Sequence, residues 1–159
     1  MTVLKEAVDE FLGQKRIAVA GVSRKPGSGQ AANVVYKRLR ERGYDVFAVN
    51  PNADTVEGDR CYHDLKSIEG GVDGVVVATT PTAAEQVVHD CAELGIKRVW
   101  LHGSFGTGSR SQQATSYGRE HGVQVIDGGC PCMFGKTADF PHKCMRGVLS
   151  LTGGLPKEV

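Results

Sequence analysis

The chain has 159 residues, a formal net charge of +1, 40% hydrophobic residues and 23% charged residues. This length fits a single domain, because a chain of this size buries roughly 68–70% of the surface that its unfolded form exposes. The balanced charge gives no electrostatic footprint for nucleic acid, and no segment approaches the roughly 18 consecutive apolar residues of a membrane span, so we expect neither partner.

Apolar, β-branched runs alternate with helical patterns along the chain. Near the start, the apolar residues Leu4, Ala7, Val8, Phe11 and Leu12 have the spacing of an amphipathic helix that packs on a core. Five strands are predicted at residues 17–20, 46–49, 75–78, 99–101 and 123–126. The other helices are predicted at residues 31–42, 82–94, 111–121 and 143–151. Residues 52–71 are predicted to be a polar connection, in which Cys61 and Tyr62 are extended.

This alternation predicts a doubly wound α/β fold with helices on both faces of a parallel sheet. We expect a Rossmann-like, five-stranded sheet with the strand order 3-2-1-4-5. In such a sheet the ligand lies beyond the carboxyl ends of the strands, at the switch point. The expected order puts that point between the first and fourth strands.

The first strand runs into a loop of small and positively charged residues. Backbone amides at the start of the following helix, together with its dipole, favour a phosphate group there. Arg24 and Lys25 add two positive charges, and Ser23 adds a hydroxyl. The residues that we expect to bind a phosphorylated ligand in this loop are Gly21, Val22, Ser23, Arg24, Lys25 and Ser28.

The ends of the second and third predicted strands carry small or polar residues that suit a backbone lying close to an extended ligand. These further candidate binding residues are Asn50, Pro51, Asn52, Thr79, Thr80 and Pro81. His102 follows the fourth strand, where we expect it to orient a loop, since no carboxylate partner or nucleophile accompanies it. We therefore predict no catalytic residue.

The first loop departs from the fingerprint of NAD-binding proteins. It reads G-x-S-x-x-P where that fingerprint needs G-x-G-x-x-G, and Asn50 stands where a carboxylate would hold the ribose. Arg24 and Lys25 beside an uncharged Asn50 favour a ligand that carries more phosphate. Coenzyme A (CoA), with a diphosphate and a 3′-phosphate, fits this description.

Four segments in order carry a family resemblance: IAVAGVSRKPG, GYDVFAVNPNADTVEG, VDGVVVATTP and ELGIKRVWLHG, followed by a Cys-Pro pair. Across residues 10–135 the chain resembles the small stand-alone CoA-binding proteins, which are related to the CoA-binding domain of the succinyl-CoA synthetase alpha subunit. The resemblance implies a Rossmann-like fold that binds CoA. It puts residues 21–24 at the diphosphate, Asn50 and Pro51 at the adenosine end, and residues 79–81 along the pantetheine arm.

The end of the chain departs from that family. Residues 128–159 form a cysteine-rich extension in which Cys132, His142 and Cys144 join Cys130 of the Cys-Pro pair. Four such ligands could hold zinc, but the spacing is unusual and Pro131 restricts the first pair, so we favour structural thiols without a metal. A redox role remains open, through a Cys130–Cys132 or Cys130–Cys144 disulfide or a mixed disulfide with the CoA thiol.

We expect a binding module for CoA or an acyl-CoA, without catalytic activity of its own. The alternatives are an NAD(P)-dependent oxidoreductase, a CoA ligase subunit that needs a partner chain, and a regulatory thiol or metal protein. The synthetase's second domain, with its phosphorylated histidine, is absent, which argues against ligase activity in this chain alone. A protein partner or a homodimer is open. Five cysteines, an odd number, without a secretion-signal pattern predict reduced thiols and a cytoplasmic location.

Overall fold

The computed structural model describes residues 2–25, 30–103, 108–135, 138, 140–156 and 159. Within these residues the helices are α1 Leu4–Leu12, α2 Ala31–Glu41, α3 Pro81–Glu93, α4 Gln112–Glu120 and α5 Phe140–Thr152. The strands are β1 Arg16–Ala20, β2 Asp45–Val49, β3 Thr55–Val56, β4 Asp59–Tyr62, β5 Gly74–Val77, β6 Arg98–Leu101 and β7 Gln124–Asp127. A short 3₁₀ helix, Pro131–Met133, follows β7.

The predicted α/β class with helices on both faces is confirmed, but the predicted strand number and order are wrong. Within the described residues the sheet has seven strands in the order β3-β4-β2-β1-β5-β6-β7. All neighbours pair in parallel except the short pair β3 and β4. The expected third strand, now β5, lies beside β1 and not beside β2.

The error comes from β3 and β4, which the sequence pattern treats as parts of a polar connection, and the wrong strand order comes from β4. Only Cys61 of its four residues is buried, so the strand lacks the continuous apolar run that a central parallel strand carries. Yet β4 pairs with the end of β2 through Ala48 and Val49. Because β4 takes the place expected for the third parallel strand, the switch point lies between β1 and β5, at the centre of the sheet.

The two faces of the sheet bury two separate apolar clusters, because successive strand residues point to opposite sides. Ile17 and Val19 face the cluster covered by α1, α2 and α5, whereas Ala18 and Ala20 face the cluster covered by α3 and α4. The carboxyl ends of the parallel strands therefore meet along one open edge between two helical layers. None of the helices in the described part of the chain has the length and apolar character to cross a membrane.

Helix α1 is attached to the sheet through an aromatic pair. Phe11 is 1% exposed, and its ring meets Trp100 edge to face, with centroids 5.5 Å apart and planes at 88°. The indole N–H of Trp100 donates to the Gly128 carbonyl at 2.9 Å. Trp100 therefore connects α1 to the segment that follows β7.

We predict that Phe11→Ala lowers the free energy of unfolding by about 3–5 kcal/mol, because it leaves a cavity against Trp100. Leu151→Ala is the control, since Leu151 is 90% exposed, and its effect should lie within about 0.5 kcal/mol. Urea unfolding followed by Trp100 fluorescence measures both. Equal effects of the two substitutions would contradict the packing described here.

Candidate functional site

Gly21 directly follows β1 at the switch point, where its backbone packs against Ala78, the residue after β5. Its φ is +98°, and a Cβ atom there would lie 2.2 Å from the Ala78 carbonyl oxygen and 3.0 Å from Cγ2 of Thr79. No side chain fits in that space without moving the backbone after β5. Gly21 thus allows the chain to turn into the loop while β1 and β5 stay paired up to their last residues.

Asn33, on the first turn of α2, holds the loop that follows β1. Its Oδ1 accepts from the Ser23 N–H at 2.8 Å, and its Nδ2 donates to the Ser23 carbonyl at 2.9 Å and to Oε1 of Glu57 at 2.8 Å. Asn33 is fully buried. Because buried amide groups must be paired, these three bonds fix Ser23 against the helix.

Asn50 connects the loops that follow β1 and β2. Its Nδ2 donates to the Val22 carbonyl at 2.9 Å, and its Oδ1 accepts from the Asn52 N–H at 2.8 Å. The amide of Asn50 is therefore used to hold the two loops side by side. Arg24 adds a further link, since its Nη1 donates to the Asn52 carbonyl at 3.3 Å.

The loop after β5 is held from the other side by Ser109, which is 1% exposed. The Ser109 hydroxyl accepts from the Thr79 N–H at 2.6 Å and donates to the Thr79 carbonyl at 2.7 Å. Thr80 caps α3 by accepting from the Ala83 N–H at 3.3 Å, and Pro81 is the first residue of the helix. Thr79, Thr80 and Pro81 therefore lie at a rigid strand-to-helix junction.

The structure brings most of the predicted binding residues to one edge. Gly21 lies so close to Thr79 that a Cβ atom on it would meet that side chain, Asn50 contacts Val22, and Arg24 contacts Asn52. Arg24 and Lys25 are exposed there, as are Pro51 and Asn52. Ser28 lies outside the described residues.

Sequence reasoning missed the residues that hold these loops, namely the buried Asn33 and Ser109 and the half-buried Glu57. One signal was available in the sequence: Asn33 lies on the apolar side of an amphipathic helix. Polar residues on such a face often have a structural role. Nothing local identifies Ser109, whose partner Thr79 lies 30 residues earlier in the chain.

His102 follows β6, and its own N–H donates to the Val77 carbonyl at 2.8 Å. Burial lowers the pKa of the His102 imidazole, and the neighbouring His142 lowers it further. Both effects favour the neutral form of the His102 imidazole.

A group of three potential metal ligands lies near His102. The Sγ atoms of Cys130 and Cys132 and a ring nitrogen of His142 lie within 4.8 Å of one another. Cys144, the fourth residue of the predicted set, is exposed and does not belong to this group.

The family comparison agrees with this architecture: residues 15–136 match the CoA binding domain family, and the chain belongs to that family. The predicted resemblance to small stand-alone CoA-binding proteins is confirmed. An uncharacterized protein from Bacillus subtilis, YneT, is 29% identical over 123 residues, which are 77% of this chain and 87% of that protein.

Larger relatives contain the same domain as one part. The alpha subunit of ADP-forming acetate–CoA ligase II from Pyrococcus furiosus is 28% identical over 130 residues, 77% of this chain but only 28% of that subunit. Among solved structures, a hypothetical protein from Pyrococcus horikoshii OT3 matches with a TM-score of 0.72 at 30% identity, over 81% of this chain and 87% of that chain.

We predict that Asn33→Asp destabilises the protein more than Asn33→Ala. The new carboxylate oxygen would face the Ser23 carbonyl and the Glu57 carboxylate, where the amide now donates two hydrogen bonds. Leaving such groups unpaired costs about 1–3 kcal/mol. Urea unfolding of each variant measures the loss.

Glu57→Gln tests the cause of that loss. In the Asn33→Asp protein, the side-chain amide that Glu57→Gln introduces can donate to the new carboxylate, so part of the lost stability should return. Glu57→Gln alone should be close to neutral, because the carbonyl of the introduced amide still accepts from Asn33. An Asn33→Asp protein as stable as the parent chain would disprove the role given to Asn33.

Proposed function

We propose that the chain binds CoA or an acyl-CoA in the crevice at the carboxyl ends of β1, β2 and β5. The observation that carries this proposal is the pair of exposed positive charges, Arg24 and Lys25, on the loop directly after Gly21 at the switch point. Membership of the CoA binding domain family supports the same ligand.

The diphosphate is proposed to lie against residues 21–25, with Ser28 beyond them. The Ser23 N–H already donates to Asn33, so charge and further donors must come from the Arg24 and Lys25 side chains. The first turn of α2 contains no acidic residue. This helix of 11 residues presents its positive dipole end to the loop, and the nearby Glu57 carboxylate is hydrogen-bonded to Asn33.

The adenosine end is proposed to lie at Asn50, Pro51 and Asn52. An NAD-binding domain needs a carboxylate at this strand end for the ribose hydroxyls, whereas the Asn50 amide here contacts Val22 and Asn52. This arrangement supports CoA over NAD, because the CoA ribose carries a 3′-phosphate that a carboxylate would repel. The pantetheine arm is proposed to follow Thr79, Thr80 and Pro81.

We propose that residues 1–159 act as one domain, with residues 128–159 as a C-terminal extension of it. Leu149 of α5 packs in the same cluster as Val8 of α1. The backbones of Thr2 and Val159 exchange two hydrogen bonds, at 3.2 and 2.8 Å. Both contacts support an extension that packs on the core. We also propose a cytoplasmic location, because the five cysteines form no disulfide in the structure and cytoplasmic thiols are kept reduced.

A second candidate function is that of a CoA-binding subunit in a ligase assembly. The relative from Pyrococcus furiosus, an alpha subunit of an acetate–CoA ligase, favours it. This chain matches only 28% of that subunit, so this candidate assigns CoA binding to residues 1–159 and the remaining ligase chemistry to parts outside them. If the chain is such a subunit, it binds both CoA and a protein partner, whereas the first proposed function requires binding of CoA alone.

Isothermal titration with CoA and with dephospho-CoA tests the proposal, because both ligands carry the diphosphate. Charge-assisted hydrogen bonds contribute about 1.5–3 kcal/mol each, so Arg24→Ala should weaken CoA binding about tenfold or more. Arg42→Ala is the matched control, since Arg42 is also exposed but lies at the far end of α2, and it should bind like the parent chain.

Negligible heat with both ligands would disprove the proposed function, as would equal weakening by the two arginine substitutions. Titration with NAD in the same buffer separates the oxidoreductase alternative, for which NAD would bind and CoA would not.

A further inference from the structure

The segment after β7 brings two thiols and an imidazole together from distant parts of the chain. Cys130 follows Gly129, which accepts from the Gly103 N–H at 2.9 Å beside the end of β6. Cys132 lies in the 3₁₀ helix, and His142 lies on α5. Their three ligand atoms lie within 4.8 Å of one another.

These distances are close to those of a metal site. With Zn–S bonds of about 2.3 Å and tetrahedral angles, two sulfur ligands lie about 3.7 Å apart. No two of the three ligand atoms are more than 4.8 Å apart, so reaching that separation needs a movement of at most about 1 Å, which a side-chain rotation supplies. Two sulfurs and one imidazole nitrogen are ligands that suit Zn²⁺, whereas Mg²⁺ and Ca²⁺ favour oxygen ligands.

The surroundings also suit a thiophilic dication. Cys130 and Cys132 are 2% and 1% exposed, within the apolar cluster that contains Val22 and Met133. When the cation binds, each thiol releases its proton to solvent and forms an S–metal bond. Two thiolates then balance the double positive charge, so the buried site is neutral overall and its desolvation cost is limited.

We propose that Cys130, Cys132 and His142 form a binding site for a thiophilic divalent cation, with Zn²⁺ as the probe ion. Within the described residues this group fills three of the four tetrahedral positions, and water can fill the fourth. His102 neighbours His142 but stands outside the three-atom group. This proposal does not depend on CoA binding.

The test uses the full chain, treated with a chelator and kept under a phosphine reductant, without CoA. Zn²⁺ uptake is measured in competition with a chromophoric chelator, and Co²⁺ replaces Zn²⁺ for absorption spectroscopy. We expect one equivalent of metal and a thiolate-to-Co²⁺ charge-transfer band. Intense ligand-field absorption of the bound Co²⁺ would indicate four-coordinate, tetrahedral geometry.

Cys132→Ser and Cys144→Ser form a matched pair, because Cys132 is buried in the group and Cys144 is exposed outside it. Removing Cys132 should lower metal affinity by more than about 100-fold, beyond the roughly 10–100-fold cost of changing a residue that only supports a ligand. The Cys144→Ser protein should bind metal like the parent chain. His142→Ala is a second variant, and the side chain that it removes is less buried than the side chain of Cys132.

Three results would overturn the proposal: no metal uptake by the reduced parent chain, equal affinity in the Cys132→Ser and parent proteins, or loss of affinity in Cys144→Ser alone. Recovery of a Cys130–Cys132 disulfide in the presence of the reductant, in place of metal binding, would also overturn it and assign these thiols to redox chemistry. Because CoA is absent from every sample, none of these results bears on the proposed function.

Discussion

The close approach of Gly21 to the end of β5 is the constraint on which the candidate site depends. The central strands β1 and β5 stay paired to their last residues only because no Cβ stands between Gly21 and the Ala78 carbonyl. Beyond that contact the two loops separate, one toward α2 and the other toward α3. The crevice therefore begins at a position that accepts glycine alone, and every proposed ligand contact is arranged around it.

Buried and half-buried polar side chains hold the loops at this edge in place. Asn33 holds Ser23, Asn50 holds Val22, and Ser109 holds Thr79. Three loops are thus fixed to neighbouring elements, while the charged side chains of Arg24 and Lys25 stay exposed at the edge. Because the loops are already held, ligand binding loses less conformational entropy in the loops.

Much of this fold was predictable because apolar strands covered on both faces have a strong sequence signal. The five predicted strands all exist, and the amphipathic pattern before β1 correctly predicted α1. Strand β4 was missed because only Cys61 in it is buried, and the strand order was therefore wrong. Loop residues with exposed charge were accessible to sequence reasoning, whereas Ser109 was not, since its contact with Thr79 is created by the tertiary fold.

A crystal structure of the chain grown with CoA tests the central claim most directly. We predict the CoA diphosphate within hydrogen-bond distance of residues 21–25, with its adenosine beside Pro51 and its pantetheine arm along Thr79. A crevice at Gly21 that is closed or empty, with CoA bound elsewhere or not at all, would contradict it.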